Sequence, residues 1–130
     1  MDNLTFRLIK ENDYLKGCLK LYEQFYNIDP LKIDYYEFRE YVERQNSNDY
    51  NIFVCEINDK IIACATCFIE NKLIHNFGKV AHIEDVVIDI NYRSLGIGKK
   101  IINHCVQHAK DKKCYKIILD CSNDLVNYYK

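Results

Sequence analysis

The feature that most constrains the fold is a short glycine-containing loop between a predicted strand and a predicted helix. It reads Arg-Ser-Leu-Gly-Ile-Gly-Lys over 93–99, after an apolar strand at 80–88 and before a helix at 98–110. Glycines let the backbone approach an anion, and the first N–H groups of a helix have no partner within it. The loop therefore suits a diphosphate, although a turn that only starts a helix also explains it. Its spacing matches neither the G-x-G-x-x-G fingerprint nor a P-loop.

The bulk composition indicates one globular domain over 1–130. The chain has 130 residues, of which 48% are hydrophobic, and a net charge of −1. A chain of this size can bury a sizeable core, and it lacks the basic surface that nucleic acids require. No apolar run is long enough to cross a bilayer, so we expect no membrane contact. Seven scattered cysteines and the lack of a secretory signal predict free thiols in a reducing, cytoplasmic setting.

The order of predicted elements gives an α/β (α+β) fold. Strands are expected at 4–9, 51–57, 61–70, 80–88 and 115–121, and helices at about 13–26, 34–44 and 98–110 and after Ser122. The order is therefore β-α-α-β-β-β-α-β-α. The three consecutive strands are expected to be antiparallel, and the strand–helix–strand unit to cross over in parallel. This predicts a mixed, mostly antiparallel sheet with helices on both faces.

Local signals support several of these boundaries. Asn12 or Asp13 can cap the first helix. Asp34 and Glu37 have the spacing of a capping box at the start of the second helix. The pair at 58–59, Asn-Asp, predicts a hairpin between the second and third strands.

Acidic residues at two predicted strands are candidates for acid–base chemistry. Glu84 and Asp85 are adjacent on a strand, where neighbouring side chains point to opposite faces, so one of them is expected to face a cleft. Asp120 ends an otherwise apolar strand, at the position where open α/β sheets commonly bind ligands. A charged strand entry also explains Glu84 and Asp85, and a turn or a helix cap also explains Asp120.

Two patterns that resemble metal sites lack the geometry for one. Cys64 and Cys67 lie three residues apart on a predicted strand, so their side chains face opposite ways. His104 and His108 share a helix face, but the zinc-binding H-E-x-x-H pattern and a third ligand are missing. No metal is therefore expected.

Two longer segments carry a family resemblance. Residues 74–87, IHNFGKVAHIEDVV, are similar to an I-H-x-x-G-x-x-G-H-I-E-D-[IV]-V segment, and residues 114–121, CYKIILDC, to C-Y-K-[IV]-I-L-D-C. Both segments are typical of glucosamine-6-phosphate N-acetyltransferases, whose GNAT superfamily also has an Arg-x-x-Gly-x-Gly acetyl-CoA loop. The resemblance covers about residues 68–130. Ala81 replaces a usual glycine, and Leu125 stands where the family commonly has an asparagine that contacts CoA.

The resemblance implies roles for individual residues. Those expected to hold acetyl-CoA are Val86, Val87, Ile88, Arg93, Ser94, Leu95, Gly96, Ile97, Gly98, Lys99 and Tyr129. Those expected to line the amino-sugar site are Lys72, His75, Glu84, Asp85 and Asp120. The expected catalytic residues are Tyr129, which would donate to the leaving sulfur, and the acids Asp120, Asp85 and Glu84.

The resemblance also implies a reaction. The acetyl group of acetyl-CoA would pass directly, in a ternary complex, to the 2-amino group of D-glucosamine 6-phosphate, a step toward UDP-GlcNAc. Asp120 or Asp85 would accept the amine proton. A homodimer is expected, because family members continue into a further strand that joins two subunits. Two alternatives stay open: a GNAT enzyme for another amine, such as a polyamine or a protein N-terminus, and a non-catalytic acetyl-CoA-binding module.

Overall fold

The computed structural model describes residues 3–47 and 49–120, which contain a five-stranded sheet. The strands are β1 (Thr5–Leu8), β2 (Tyr50–Ile57), β3 (Lys60–Asn71), β4 (Lys79–Ile88) and β5 (Lys116–Leu119), and their spatial order follows the chain. Antiparallel pairing joins β1, β2, β3 and β4, whereas β5 runs parallel to β4. The predicted mixed, mostly antiparallel sheet is therefore confirmed.

Helices cover both faces of this sheet. One face carries α1 (Cys18–Glu23) and α2 (Tyr35–Gln45). A single turn, α3 (Ile74–Phe77), lies between β3 and β4 and is left-handed at its last three residues. The other face carries α4 (Ile97–Asp111). Short 3₁₀ helices span Glu11–Lys16, Pro30–Lys32 and Ile90–Tyr92. The predicted helices on both faces are confirmed, and the helix predicted after Ser122 lies outside the described residues.

The longest helix, α4, buries the apolar stripe that the sequence predicts. Ile97, Ile101, Cys105 and Ala109 follow one another at four-residue intervals, and all four are fully buried. They share one apolar cluster with residues of β3 and β4. Because burial of such a stripe fixes the helix on the sheet, the first turn of α4 is held at the end of β4.

Both predicted turn signals are confirmed. Asn58 and Asp59 have φ values of 48° and 62°, the two left-handed residues that a tight type I′ hairpin requires. Asp34 accepts the Glu37 N–H at 2.9 Å, and Glu37 accepts the Asp34 N–H at 3.3 Å. The hairpin and this capping box therefore set the adjoining ends of β2, β3 and α2.

The first predicted helix, 13–26, is wrong in its first half. The chain forms a 3₁₀ helix at Glu11–Lys16, reverses at Gly17 with a φ of 82°, and only then enters α1. Asp13 is not the N-cap residue of α1: it is the third residue of the 3₁₀ helix, and its fully buried side chain accepts the Lys10 N–H at 2.8 Å, the N-cap N–H of that short helix. The hydrophobic pattern does not reveal this turn, since the partner that draws Asp13 inward lies on β1.

A buried ion pair holds this turn against the sheet. Arg7 on β1 donates to the two Asp13 carboxylate oxygens at 2.9 and 2.8 Å and to Glu56 on β2 at 2.6 Å. Lys16 also pairs with Glu56, at 2.7 Å. The hydrogen bonds to Asp13 raise the pKa of Arg7, and those from Lys16 and Arg7 lower the pKa of Glu56. This network therefore fixes the start of α1 relative to β1 and β2.

We predict that Arg7→Met lowers the free energy of unfolding by about 3–5 kcal/mol, because it leaves the buried Asp13 carboxylate without its counter-ion. Urea denaturation measures the change. The matched control is Arg39→Met, which removes an exposed pair with Glu43 and is expected to leave the midpoint nearly unchanged. Equal losses in the two variants would contradict this role of Arg7.

Candidate active site

β5 pairs with only the first part of β4. Val80 to Ile83 pair with Lys116 to Leu119, and the last contact is the Asp120 N–H donating to the Ile83 carbonyl at 3.0 Å. Within the described part of the chain, residues 84–88 have no strand on this side. Among the described residues, the main-chain groups on that side of this stretch therefore have no strand partner, and an extended chain with its own hydrogen-bonding groups can pair with them. The expected pantetheine-pairing residues Val86, Val87 and Ile88 lie on this stretch.

A bulge in β4 sets the direction of two acidic side chains. The register between β3 and β4 shifts between Cys64 and Thr66, and Asp85 has a left-handed φ of 51°, which is uncommon for a residue with a side chain. Glu84 pairs with Thr66, which lines a cavity beneath α1 and α2, and Asp85 lines the same cavity. The prediction that the two acids point to opposite faces is therefore wrong, because the bulge breaks the alternation of β4.

The cavity beneath the bulge has a volume of about 440 Å³. Its walls are mostly apolar side chains from α1, α2 and β2, with Thr66 and Asp85 among its polar groups. The pKa of Tyr50 is raised to about 12. The larger causes are burial and the neighbouring Tyr41, and the smaller ones are the charges of Asp85 and Glu84. Both carboxylates therefore act electrostatically on the same face of the sheet.

Asp120 lies at the fork where β4 and β5 separate. Its backbone is held by the hydrogen bond to Ile83, and its side chain is exposed. Burial first, then the charge and hydrogen bond of Asp85, and then the charge of Asp120, raise the pKa of Tyr26. The two carboxylates therefore lie near one hydroxyl group. Asp85 thus acts electrostatically on the same tyrosine as Asp120 and on a second tyrosine with Glu84, and the expectation that the three acids form one acceptor site stays a prediction.

The end of α1 contributes a polar residue that sequence reasoning missed. The Tyr26 hydroxyl lies 3.4 Å from a carboxylate oxygen of Asp85, which is 59 positions away in the chain. In the sequence Tyr26 only marks the end of a predicted helix. Neither its spacing nor its neighbours indicate this contact, because the contact depends on the bulge and on the path of α1.

The loop that follows β4 is anchored at its start by a buried carboxylate. Asp89 is 3% exposed, accepts the Asn91 N–H at 2.9 Å and pairs with Lys60 at 3.2 Å. Burial alone raises the pKa of this carboxyl, but the Asn91 N–H and the Lys60 ammonium outweigh burial and lower it. The loop therefore leaves β4 in a fixed direction.

The same loop contacts the end of α1 at two points. The Ile90 N–H donates to the Gln24 side chain at 3.0 Å, and the Arg93 guanidinium lies 5.1 Å from the centre of the Phe25 ring. Arg93 is otherwise exposed, so it can contact an anion at the surface while it stacks on the ring. These contacts place Arg93 close to Phe25, which follows α1 and precedes Tyr26.

The start of α4 has the features of an anion-binding helix end. Ser94 and Gly96 have left-handed φ values of 67° and 78°, and Gly96 is the N-cap of α4. In the described residues no side chain caps this end, and its first turn holds no acidic residue. The amides of this first turn therefore have no side-chain acceptor among the described residues; Lys99 is exposed there, whereas Ile97 and Gly98 are buried. Leu95 is half-exposed beside them.

Two expected substrate residues lie away from this fork. Lys72 pairs with Glu70 at 3.0 Å, and His75 stacks on Tyr115 with ring centres 4.4 Å apart. Tyr115 marks the start of the β4–β5 pairing and Asp120 its end, a separation of about 16 Å along a strand. Within one chain, the structure therefore does not bring Lys72 and His75 to the carboxylates.

Tyr129, the expected proton donor to the leaving sulfur, lies outside the described residues.

The described residues also bear on metal binding and on membrane-spanning helices. Across 3–47 and 49–120, no three His, Cys, Asp or Glu side chains cluster as metal ligands would. None of the helices in these ranges has the length and apolar character needed to cross a bilayer.

The chain is similar in sequence to a known family of acetyltransferases. The Acetyltransferase (GNAT) family matches residues 15–130. Glucosamine 6-phosphate N-acetyltransferase 1 of Dictyostelium discoideum is 35% identical, over 99% of this chain and 83% of its own length. The glucosamine 6-phosphate N-acetyltransferase of Arabidopsis thaliana is 33% identical, over 99% and 88% respectively.

The solved structures agree with the sequence relatives. A crystal structure of glucosamine-6-phosphate N-acetyltransferase from Arabidopsis thaliana superposes with a TM-score of 0.91 at 33% identity, covering 98% of this chain and 88% of that one. This chain belongs to the GNAT family of acetyltransferases. Enzymes of this family take their acetyl group from acetyl-CoA.

We predict that Gly96→Ala weakens acetyl-CoA binding by about tenfold or more, because a side chain at a φ of 78° forces the α4 amides out of their present direction. Isothermal titration calorimetry measures the affinity. Gly17→Ala is the matched control: both glycines are left-handed, and at neither would a Cβ meet an atom within 4 Å. Both variants should lose about 1 kcal/mol of stability, but only Gly96→Ala should lose affinity. Equal acetyl-CoA affinities of the two variants would show that this loop does not bind the cofactor.

Proposed function

We propose that the chain is a glucosamine 6-phosphate N-acetyltransferase. It transfers the acetyl group of acetyl-CoA to the 2-amino group of D-glucosamine 6-phosphate and releases N-acetylglucosamine 6-phosphate and CoA. The observation that carries this proposal is the identity of 35% and 33% to two enzymes of that name, over 99% of this chain in both cases. The carboxylates of Glu84, Asp85 and Asp120, near the point where β4 and β5 separate, support this proposal. Carboxylates can accept hydrogen bonds from the hydroxyls and the amine of an amino sugar.

We assign the two halves of acetyl-CoA to the two elements that flank the gap in the sheet. The diphosphate lies on the amides of Ile97–Lys99 with Arg93 beside it, and the pantetheine arm pairs with the free edge of Val86–Ile88. This arrangement places the thioester at the fork, where the amine arrives. A main-chain N–H near Val87 then stabilises the oxyanion that forms on attack. Holding both substrates in one complex supplies much of the rate enhancement.

Proton transfer in this scheme uses the fork and the C-terminal segment. The attacking amine must be neutral, and Asp120 or Asp85, with Glu84 beside them, accepts its proton directly or through water. Tyr129 then donates a proton to the departing CoA thiolate. The assignment of Tyr129 rests on the resemblance of its segment alone.

The direct test is thiol release from acetyl-CoA in the presence of glucosamine 6-phosphate. We expect saturable turnover with this sugar and at least tenfold lower kcat/KM with spermidine or a peptide amine, because the fork is assigned to a polyhydroxylated acceptor. Faster turnover of either alternative amine would reassign the acceptor. Acetyl-CoA binding without turnover of any amine would instead indicate a non-catalytic module.

We predict that Asp120→Asn lowers kcat/KM for glucosamine 6-phosphate about a hundredfold or more while acetyl-CoA still binds, because an amide cannot accept the amine proton. The matched control is Asp111→Asn on the exposed end of α4, which should retain full activity. Loss of acetyl-CoA binding in Asp120→Asn would assign Asp120 to the scaffold instead.

We also propose a homodimer and a cytoplasmic location. The turn between β3 and β4 exposes three large apolar side chains, Leu73 at 79%, Ile74 at 59% and Phe77 at 73%. A second copy packed on this turn covers them and carries Lys72 and His75 to the fork of its partner. Six of the seven cysteines, Cys18, Cys55, Cys64, Cys67, Cys105 and Cys114, lie in the described residues and are free thiols, which supports a reducing compartment.

We predict that Phe77→Asp shifts the protein from dimer to monomer in sedimentation velocity, because it places a charge in the apolar contact. Sugar-dependent turnover should fall with it, whereas acetyl-CoA affinity should stay within about twofold, since the α4 loop is elsewhere. A monomeric wild-type protein with full activity would contradict the dimer.

A further inference from the structure

The three residues that follow α1 contact both the loop after β4 and the acidic residue of the β4 bulge. Gln24 accepts the Ile90 N–H at 3.0 Å, Phe25 lies under Arg93 at 5.1 Å, and Tyr26 lies 3.4 Å from Asp85. The Tyr26 N–H also donates to the Tyr22 carbonyl at 2.9 Å, so the backbone here continues the turn of α1. These contacts set the course of the backbone at Tyr26, whose ring is half-exposed and also packs near the Tyr22 ring, with ring centres 6.3 Å apart.

The Tyr26 contact bears on the orientation of the Asp85 carboxylate. It is the left-handed residue of the β4 bulge, and its side chain is exposed. In the described ranges, the Tyr26 hydroxyl is the one hydrogen-bond donor to this carboxylate. The contact is long for O–H···O, as catalytic hydrogen bonds often are before a substrate binds. A carboxylate on a short exposed side chain has several rotamers, and a single fixed donor selects among them.

The charged and titratable groups around Asp85 are mostly acidic or neutral. Glu84 is the neighbour of Asp85 on β4, and Asp120 directly follows β5. β2 contributes Tyr50, whose pKa is raised first by burial and Tyr41 and then by Asp85 and Glu84. The Tyr22 hydroxyl of α1 is buried, and burial first and Asp85 among later causes raise its pKa. Both phenols therefore stay neutral near pH 7.

α2 contributes three further groups to the same cavity, and none of them hydrogen-bonds to Asp85. Glu37 is held in the capping box of α2, and Arg44 lies 3.9 Å from Glu40. Tyr41 is the third of these groups. In the described part of the cavity wall, Tyr26 is thus the group in position to orient Asp85.

We propose that Tyr26 is a positioning residue for the acceptor: its hydroxyl donates to Asp85 and aims that carboxylate at the amine that attacks the thioester. This inference rests on the proposed function and adds a residue to it. Tyr26 itself transfers no proton in this scheme. It acts through Asp85, so its contribution should vanish when Asp85 can no longer act as a carboxylate.

A double-mutant cycle tests the coupling. Tyr26→Phe should lower kcat/KM for glucosamine 6-phosphate about tenfold, the size expected for one hydrogen bond to a charged group, with KM for acetyl-CoA unchanged. In an Asp85→Asn background, Tyr26→Phe should change kcat/KM by less than about twofold. Tyr36→Phe, at a 75% exposed tyrosine of α2, is the control and should have no effect. Equal losses in both backgrounds, or no loss from Tyr26→Phe, would overturn the proposal.

A second measurement does not depend on the acceptor. Because a nearby carboxylate disfavours the phenolate, Asp85→Asn should lower the pKa of Tyr26 toward its ordinary value, as followed by NMR of the ring carbon that bears the hydroxyl. An unchanged titration would remove the contact and the proposal with it. If this pKa shifts but glucosamine 6-phosphate is not acetylated, then the proposed substrate fails while the Tyr26–Asp85 contact stands.

Discussion

The interruption of β4–β5 pairing after Ile83 is the constraint on which the rest of the site depends. A parallel pair that continued to Ile88 would satisfy the edge of β4 and leave no room for a ligand. Instead, the bulge at Asp85 changes the course of β4 where β5 ends. In the described residues, the bulge therefore coincides with an edge of β4 that has no strand partner beyond Ile83, and it places Asp85 on the face that also carries Glu84.

Two buried carboxylates hold the walls of this gap. Asp13, paired with Arg7, fixes the turn from which α1 starts, and Asp89, paired with Lys60, fixes the loop that leads to α4. α1 and the loop then meet through Gln24 and Phe25. Removing the partner of a buried charge lowers the free energy of unfolding, so these pairs hold the two walls in fixed positions relative to each other. The proposed cofactor side and the proposed acceptor side of the site are thus parts of one framework.

The sequence predicts elements whose determinants are local. The stripe of α4, the hairpin at Asn58-Asp59 and the capping box at Asp34 all depend on neighbours within a few residues, and all are confirmed. The fork of Asp120 and Asp85 follows from strand order. The helix break at Gly17, the bulge and the Tyr26–Asp85 contact depend on partners far along the chain, which periodicity does not encode. The roles of individual site residues remain predictions.

Amide hydrogen exchange with and without acetyl-CoA tests the central claim most directly, because it reports on the free edge of β4 and on the first turn of α4 in one experiment. We expect slower exchange at amides of Val86–Ile88 and Ile97–Lys99 when acetyl-CoA is bound. Protection confined to the cavity beneath α1 and α2, with both of these segments unchanged, would contradict it.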